Sequence, residues 1–138
     1  MIYAVIDTNV FVSAYITHHS DSATSLIVNS LLNGEIKSLY NDEIMAEYNE
    51  VLSRKHLHIS EEKRDTLFNY IRQNGILTDR TAVDKLFIDE DDRVFYEVAL
   101  SKEDSFLVTG NLKHFPREPR IVTPAEMIEI LQSEEAKK

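Results

Sequence analysis

Apolar residues in this chain fall into short runs separated by longer stretches with helical spacing, and that alternation sets the expected fold. Residues 2–6 are almost wholly apolar, as a strand buried on both faces of a parallel sheet would be. The run stops abruptly at Asp7-Thr8-Asn9. Thr8 or Asn9 is placed to cap a short helix carrying Val10, Phe11 and Ala14 inward. Beyond a polar stretch, Ser22 caps a helix with Leu26, Ile27, Leu31 and Leu32 inside, closed by Gly34. Residues 36–40 alternate weakly and predict a second strand. Asn41 or Asp42 then opens a helix from residue 43 to about residue 54, its stripe formed by Ile44, Tyr48, Val51 and Leu52. Ser60 caps the next helix, with Leu67, Phe68 and Ile71 inside and Gly75 at its end. Residues 84–88 are expected as a third strand, followed by an acidic turn over 89–93. A helix over 94–101 would bury Phe95, Val98 and Ala99. Residues 105–109 predict a fourth strand and 120–122 a short edge strand. Pro124 opens a last helix through Met127, Ile128 and Leu131, and 134–138 read as a frayed tail.

Strands alternating with helices predict a parallel α/β sheet. At 138 residues, with no internal repeat or linker, the chain suits a single domain over 1–133. In a parallel sheet the carboxyl ends of the strands share one edge, where open α/β sheets place their sites. Asp7, the Asp89-Glu90-Asp91-Asp92 cluster and Thr109-Gly110-Asn111 all follow expected strands, and Glu47 lies in the helix after the second.

The net charge of −9 argues against a general nucleic-acid binder with a basic face. It is compatible with acids scattered over a solvated surface, or gathered to hold divalent cations whose charge then attracts phosphate. There is no cysteine, and His18, His19, His56, His58 and His114 form no zinc pattern. No apolar stretch approaches the roughly 20 residues of a membrane span, and the start shows no basic leader ahead of a hydrophobic region, so a cytoplasmic protein with no membrane partner is expected. Mg²⁺ and Mn²⁺ take hard oxygen ligands, and carboxylates converging on one edge would repel one another without a cation among them. That chemistry suits phosphodiester hydrolysis.

Four segments together resemble the PIN-domain nucleases, a family that includes VapC-type toxins. They are Val5-Ile-Asp-Thr-Asn-Val10, Glu47-Tyr-Asn-Glu-Val-Leu52, the stretch from Asp89 to Ala99, and Phe106-Leu-Val-Thr-Gly-Asn111. The resemblance covers nearly the whole chain. It implies a three-layer α/β/α sandwich around a mostly parallel sheet, and a ribonuclease that needs Mg²⁺ or Mn²⁺. It implies Asp7, Glu47 and Asp92 as the metal-holding acids, with Asp92 preferred to Asp91 because it stands seven residues before Ala99. Asn111 would join them as a catalytic residue, with Thr8, Asn9, Asp91 and Thr109 in support. The family has Asp where this chain has Asn111. An amide oxygen can still meet a cation or a water but brings no charge, so a second metal should bind more weakly. The resemblance also implies an RNA substrate, a homodimer and, for a toxin, a small antitoxin partner.

Singly, each residue has a plainer reading. Asp7 could cap the first helix, Glu47 could be a solvated helix residue, residues 89–92 a turn with helix-favouring acids, and Thr109-Gly110-Asn111 an ordinary turn. For substrate, the basic stretch from Arg54 and Lys55 to His58 could hold phosphate or simply complement a helix end. Lys113 and His114 follow Asn111 closely enough to reach phosphate, though His114 is not assigned as a general base. The rival readings are a nuclease acting on DNA flaps and a PIN-like binding module that has lost catalysis at Asn111. A small-molecule phosphatase is disfavoured because Asp7 lacks an acid two residues on.

Overall fold

A computed structural model describes residues 1–136. The strands are β1 (Ile2–Ile6), β2 (Ile36–Tyr40), β3 (Ile76–Leu77), β4 (Ser105–Val108) and β5 (Ile121–Val122). The helices are α1 (Thr8–Ile16), α2 (Ala23–Leu32), α3 (Asp42–Leu52), α4 (Glu61–Asn74), α5 (Arg93–Leu100) and α6 (Pro124–Ala136). The five strands form one sheet in the order β3-β2-β1-β4-β5, and every neighbouring pair is parallel. Helices cover it in a three-layer α/β/α arrangement. α2 packs against both α1 and α6, α5 lies against β1, β2 and β4, and α3 touches α1, α4 and α5.

β1 is the central strand because Ala4, Val5 and Ile6 are fully buried, as an apolar run covered on both faces requires. The chain builds outward from β1 to β3, then returns to the other side of β1 for β4 and β5. The direction of winding therefore reverses between β1 and β4. At such a switch point the carboxyl ends of two adjacent strands part and leave a crevice. The pairing runs one residue past the strand ends, through Asp7 N to Val108 O at 2.9 Å and Thr109 N to Val122 O at 2.9 Å.

Most sequence-expected elements are present, with helix caps at Ser22, Asn41 and Ser60. The cap of α1 is Asp7 rather than Thr8 or Asn9, yet its carboxyl makes no capping bond into the helix. Leu26, expected inside, stands at the surface. Glu134, Glu135 and Ala136, expected as part of a frayed tail, continue α6; Lys137 and Lys138 lie outside the described residues.

The expected third strand is a correction. Residues 84–88 form no strand, and Leu86 and Ile88 are 96% and 76% exposed. No strand lies alongside to take their backbone groups. Instead α5 reaches back with side chains. Arg93 donates to Val83 O at 2.8 Å and to Lys85 O at 2.7 Å, and Glu97 accepts from Val83 N at 3.1 Å. Phe87 packs on Tyr96 and Phe115. The alternation at 84–88 belongs to a clamped loop. The real third strand is the two-residue β3, paired through Leu39–Ile76 and Tyr40–Leu77. Gly75 permits that pairing, since a Cβ there would lie 2.5 Å from Ile71 O and 2.6 Å from Ser38 O. The acidic run at 89–92 accordingly follows a loop, and Glu90–Asp92 forms a single 3₁₀ turn leading into α5.

Candidate functional site

The site lies at the switch point, where β1 and β4 end. Asp7 follows β1 directly and is 5% exposed. Its Oδ2 accepts from the Thr109 hydroxyl at 2.8 Å, a bond between residues 102 apart in sequence that ties the two strand ends together. Thr109 also accepts from Asn111 N at 3.0 Å, fixing the turn after β4.

Glu47 reaches the same edge from α3. The helix is seated by Tyr48, which is fully buried and donates to Ile6 O at 2.5 Å, taking up a carbonyl at the end of β1. The Tyr48 ring stands edge-on to Phe11 of α1 at 5.0 Å and tilted to Phe95 of α5 at 6.1 Å. Each such pair adds about 1 kcal/mol beyond burial. This aromatic platform locks together the three helices that carry the site's side chains. From it, Glu47 extends half-buried toward β1, and its Oε2 accepts from the Thr8 hydroxyl at 2.5 Å.

Asp92 enters from the turn before α5, its side chain 14% exposed, and its Oδ2 meets His114 Nδ1 at 3.1 Å. The other ring nitrogen, Nε2, lies 3.1 Å from Asn111 Nδ2. With the amide donating to Nε2, the neutral ring carries its proton on Nδ1 and donates it to Asp92. The side-chain oxygen of Asn111 accepts no hydrogen bond among the described residues, while its backbone carbonyl accepts from His114 N at 3.0 Å. Thus Asp7, Thr109, Asn111, His114 and Asp92 form one chain of contacts.

The carboxylates sense one another. Burial pushes Asp7 up to about 6, the Thr109 hydroxyl opposes that shift, and the charge of Asp92 adds to it. Burial likewise raises Glu47, with further upward pushes from Asp7, Asp91 and Asp89. Asp92 is raised by burial too, moderated by His114 and pushed up by Asp89 and Glu47. No lysine or arginine pairs with any of the three among the described residues. Buried like charges without a counter-charge are costly unless protonated or joined by a cation. Among the described residues no three His, Asp or Glu side chains are drawn into a ready-made cation cage. The side chains gathered at this edge carry carboxylates, hydroxyls and the Asn111 amide. That set fits Mg²⁺ or Mn²⁺, which keep several waters, better than Zn²⁺.

The remaining expected residues are distributed unevenly. Asn9 is exposed, and its Oδ1 lies 3.5 Å from Gly110 N. Asp91 is exposed, and its backbone N–H donates to Asp89 Oδ1, so it reaches the site only through its charge. Arg54 stands roughly 10 Å beyond Glu47 along the helix axis and is engaged by both carboxylate oxygens of Glu50. Lys55 is exposed in the following turn, while Lys113 sits beside Asn111. The contact between His114 and both Asn111 and Asp92 was not expected. Its signal was the spacing of three from Asn111 to His114, which superimposes side chains on a 3₁₀ turn.

Among the described residues no helix is long and apolar enough to cross a membrane. Comparisons with curated proteins and with solved structures give no match. A PIN-domain family model matches residues 3–113, a span that runs from β1 through Asp7, Glu47, Asp92 and Asn111. The chain therefore belongs to the PIN-domain family, whose members are generally nucleases and usually use divalent metals.

Proposed function

We propose that this chain is an endoribonuclease that hydrolyses RNA phosphodiester bonds with Mg²⁺ or Mn²⁺ held by Asp7, Glu47 and Asp92. The observation that carries the reading is the convergence, at the switch point of the sheet, of three mutually repelling acids with no lysine or arginine partner among the described residues. A bound cation would supply the charge that acidifies an attacking water and offsets charge building on the phosphate. The chain's own residues do the placing. Thr109 and Thr8 orient Asp7 and Glu47 by donating a hydroxyl to one oxygen of each. His114 holds Asp92 and Asn111 in register. Asn111 contributes an oxygen without charge, which favours one strongly held cation over two.

Lys113, beside Asn111, would meet the phosphate backbone. Arg54 and Lys55 would join it farther along, Arg54 by leaving Glu50. A single strand or loop is the favoured substrate, because its backbone can bend into the cleft. The likeness to VapC-type toxins supports a role as the toxin half of a toxin–antitoxin pair, acting in the cytoplasm as a homodimer blocked by a small antitoxin.

Competing labelled RNA and DNA in one assay, with and without Mn²⁺, tests the activity. RNA cleavage should require the cation. Asp7→Asn and Asp92→Asn should each lower it at least about a hundredfold, close to 3 kcal/mol of barrier, with an unchanged circular dichroism spectrum. Wild-type rates in both variants would remove these residues from the mechanism, and preferential DNA cleavage would overturn the assignment of substrate.

A further inference from the structure

Two grooves flank the acidic mouth, and they differ in charge. One, of about 360 Å³, is lined by Glu43, Glu47, Glu50, Glu90 and Asp91, and its single arginine, Arg80, is taken by Glu43 and Glu97. A polyanion gains nothing there. The other begins at the site's own turn. His114 of that turn touches Asp92, while Leu112 and Lys113 of the same turn line a crevice of about 390 Å³ with Phe115, Arg117, Glu118 and Ile121. That volume is in the range that holds a small organic group.

The crevice is apolar below and basic at its rim. Phe115 and Ile121 are buried, and Leu112 stands 43% exposed above them. Glu118 is already committed, accepting from the Tyr96 hydroxyl and pairing with Lys85. Lys113 and Arg117 pair with no carboxylate among the described residues. In a chain of net charge −9, two cations free of carboxylate partners thus bracket an apolar crevice that starts from the same turn as His114.

We propose that this crevice holds the nucleotide flanking the scissile phosphate of a single-stranded nucleic acid. The base rests against Leu112 and the apolar floor, and the adjoining phosphates meet Lys113 and Arg117. The strand thus leaves the acidic mouth on the β4 side and avoids the Glu43–Asp91 groove. This inference rests on the nuclease reading above.

Fluorescence anisotropy tests it, using a short fluorescein-labelled phosphorothioate oligouridylate and its deoxy counterpart at fixed Mg²⁺ over a salt series. In whichever strand the wild type binds, Lys113→Gln/Arg117→Gln should weaken binding about tenfold at low salt. The salt slope should fall by about 1.4, because each single-strand phosphate contact contributes about 0.7. Lys113→Arg/Arg117→Lys should keep both affinity and slope. Arg72→Gln/Lys102→Gln, which removes the same charge elsewhere, should leave the slope unchanged. Equal losses in the two glutamine pairs would overturn the crevice, as would an unchanged slope in Lys113→Gln/Arg117→Gln while cation-dependent cleavage persists. A wild type that binds neither strand would overturn the nuclease reading with it.

Discussion

Asp7 and Glu97 are buried to almost the same degree, 5% and 4% exposed, and the molecule treats them in opposite ways. Glu97 is compensated from within. One oxygen accepts from Arg80 Nε at 2.8 Å, the other accepts from Val83 N at 3.1 Å, and Arg93 approaches within 3.8 Å. Asp7 receives a hydroxyl from Thr109 and faces the charge of Asp92, with no lysine or arginine paired to it among the described residues. An acid neutralised by its own chain holds structure, here the loop that carries residues 78–89 to α5. A buried acid left without a counter-charge keeps a deficit that an external cation can fill. The two acids lie on segments packed against each other, so the contrast comes from their partners rather than from depth.

Neutralising each acid with its isosteric amide should therefore change stability in opposite directions. The larger effect is expected at Glu97→Gln. It strips two arginines of their shared carboxylate and weakens the anchor of the loop. Breaking a fully buried pair costs 3–5 kcal/mol; with Arg80 and Arg93 side chains 31% and 20% exposed, about 3 kcal/mol is expected. Urea denaturation of the metal-free protein measures it. A midpoint unchanged from wild type would mean that Glu97 is not the clamp that its contacts describe.

Asp7→Asn should stabilise the metal-free protein at neutral pH by about 2 kcal/mol, most of the roughly 3 kcal/mol that the rise from 3.8 to about 6 represents at about 1.4 kcal/mol per pKa unit. The direction follows from linkage. Asp7 titrates at about 6 when folded, against an ordinary 3.8, so the folded state binds the extra proton between those values. Wild-type stability therefore falls as pH rises through that window. The variant lacks this loss. Its advantage should be full above about pH 6 and vanish below 3.8. Thermal melts across that range check it. A variant less stable than wild type at neutral pH would show that Asp7 is compensated after all, and the contrast with Glu97 would dissolve.

How these two acids could be told apart in the sequence is instructive. Asp7 was legible because an apolar run ending in Asp-Thr-Asn announces a buried strand and the edge where sites form. Glu97 was not, because within Arg93–Leu100 it reads as an ordinary helix residue, and its partner Arg80 lies 17 positions away in an irregular segment. The same network hid the error at residues 84–88. Their alternation is real, but side chains of α5, rather than a neighbouring strand, satisfy the backbone. β3 escaped notice for the converse reason: two residues are too few to carry a period, and the pairing depends on the close approach at Gly75. Local pattern thus captured what the chain decides locally, the central strand, the helices and the caps at Ser22, Asn41 and Ser60. It missed what contacts between distant side chains decide.

The smallest effect is expected at His114, and it sharpens the contrast from the side of Asp92. Among the described residues His114 is the one titratable neighbour that binds an acid of the site directly, yet its side chain is 33% exposed and it stands on a short turn. Its removal should cost less than about 1 kcal/mol of folding stability, because a solvent-accessible hydrogen bond contributes about that much or less. Its effect on the site should be larger than its effect on the fold. Without the ring, Asp92 loses the donor that holds its carboxylate and Asn111 loses the acceptor that holds its amide. Residues that orient ligands typically change metal affinity by 10–100-fold. His114→Ala should therefore weaken Mn²⁺ binding about tenfold, at the low end of that range, with the melting curve of the metal-free protein nearly unchanged. Calorimetric titration reads the first and thermal denaturation the second. A variant that lost stability while binding Mn²⁺ as tightly as the wild type would place His114 with Glu97, among residues that hold the fold.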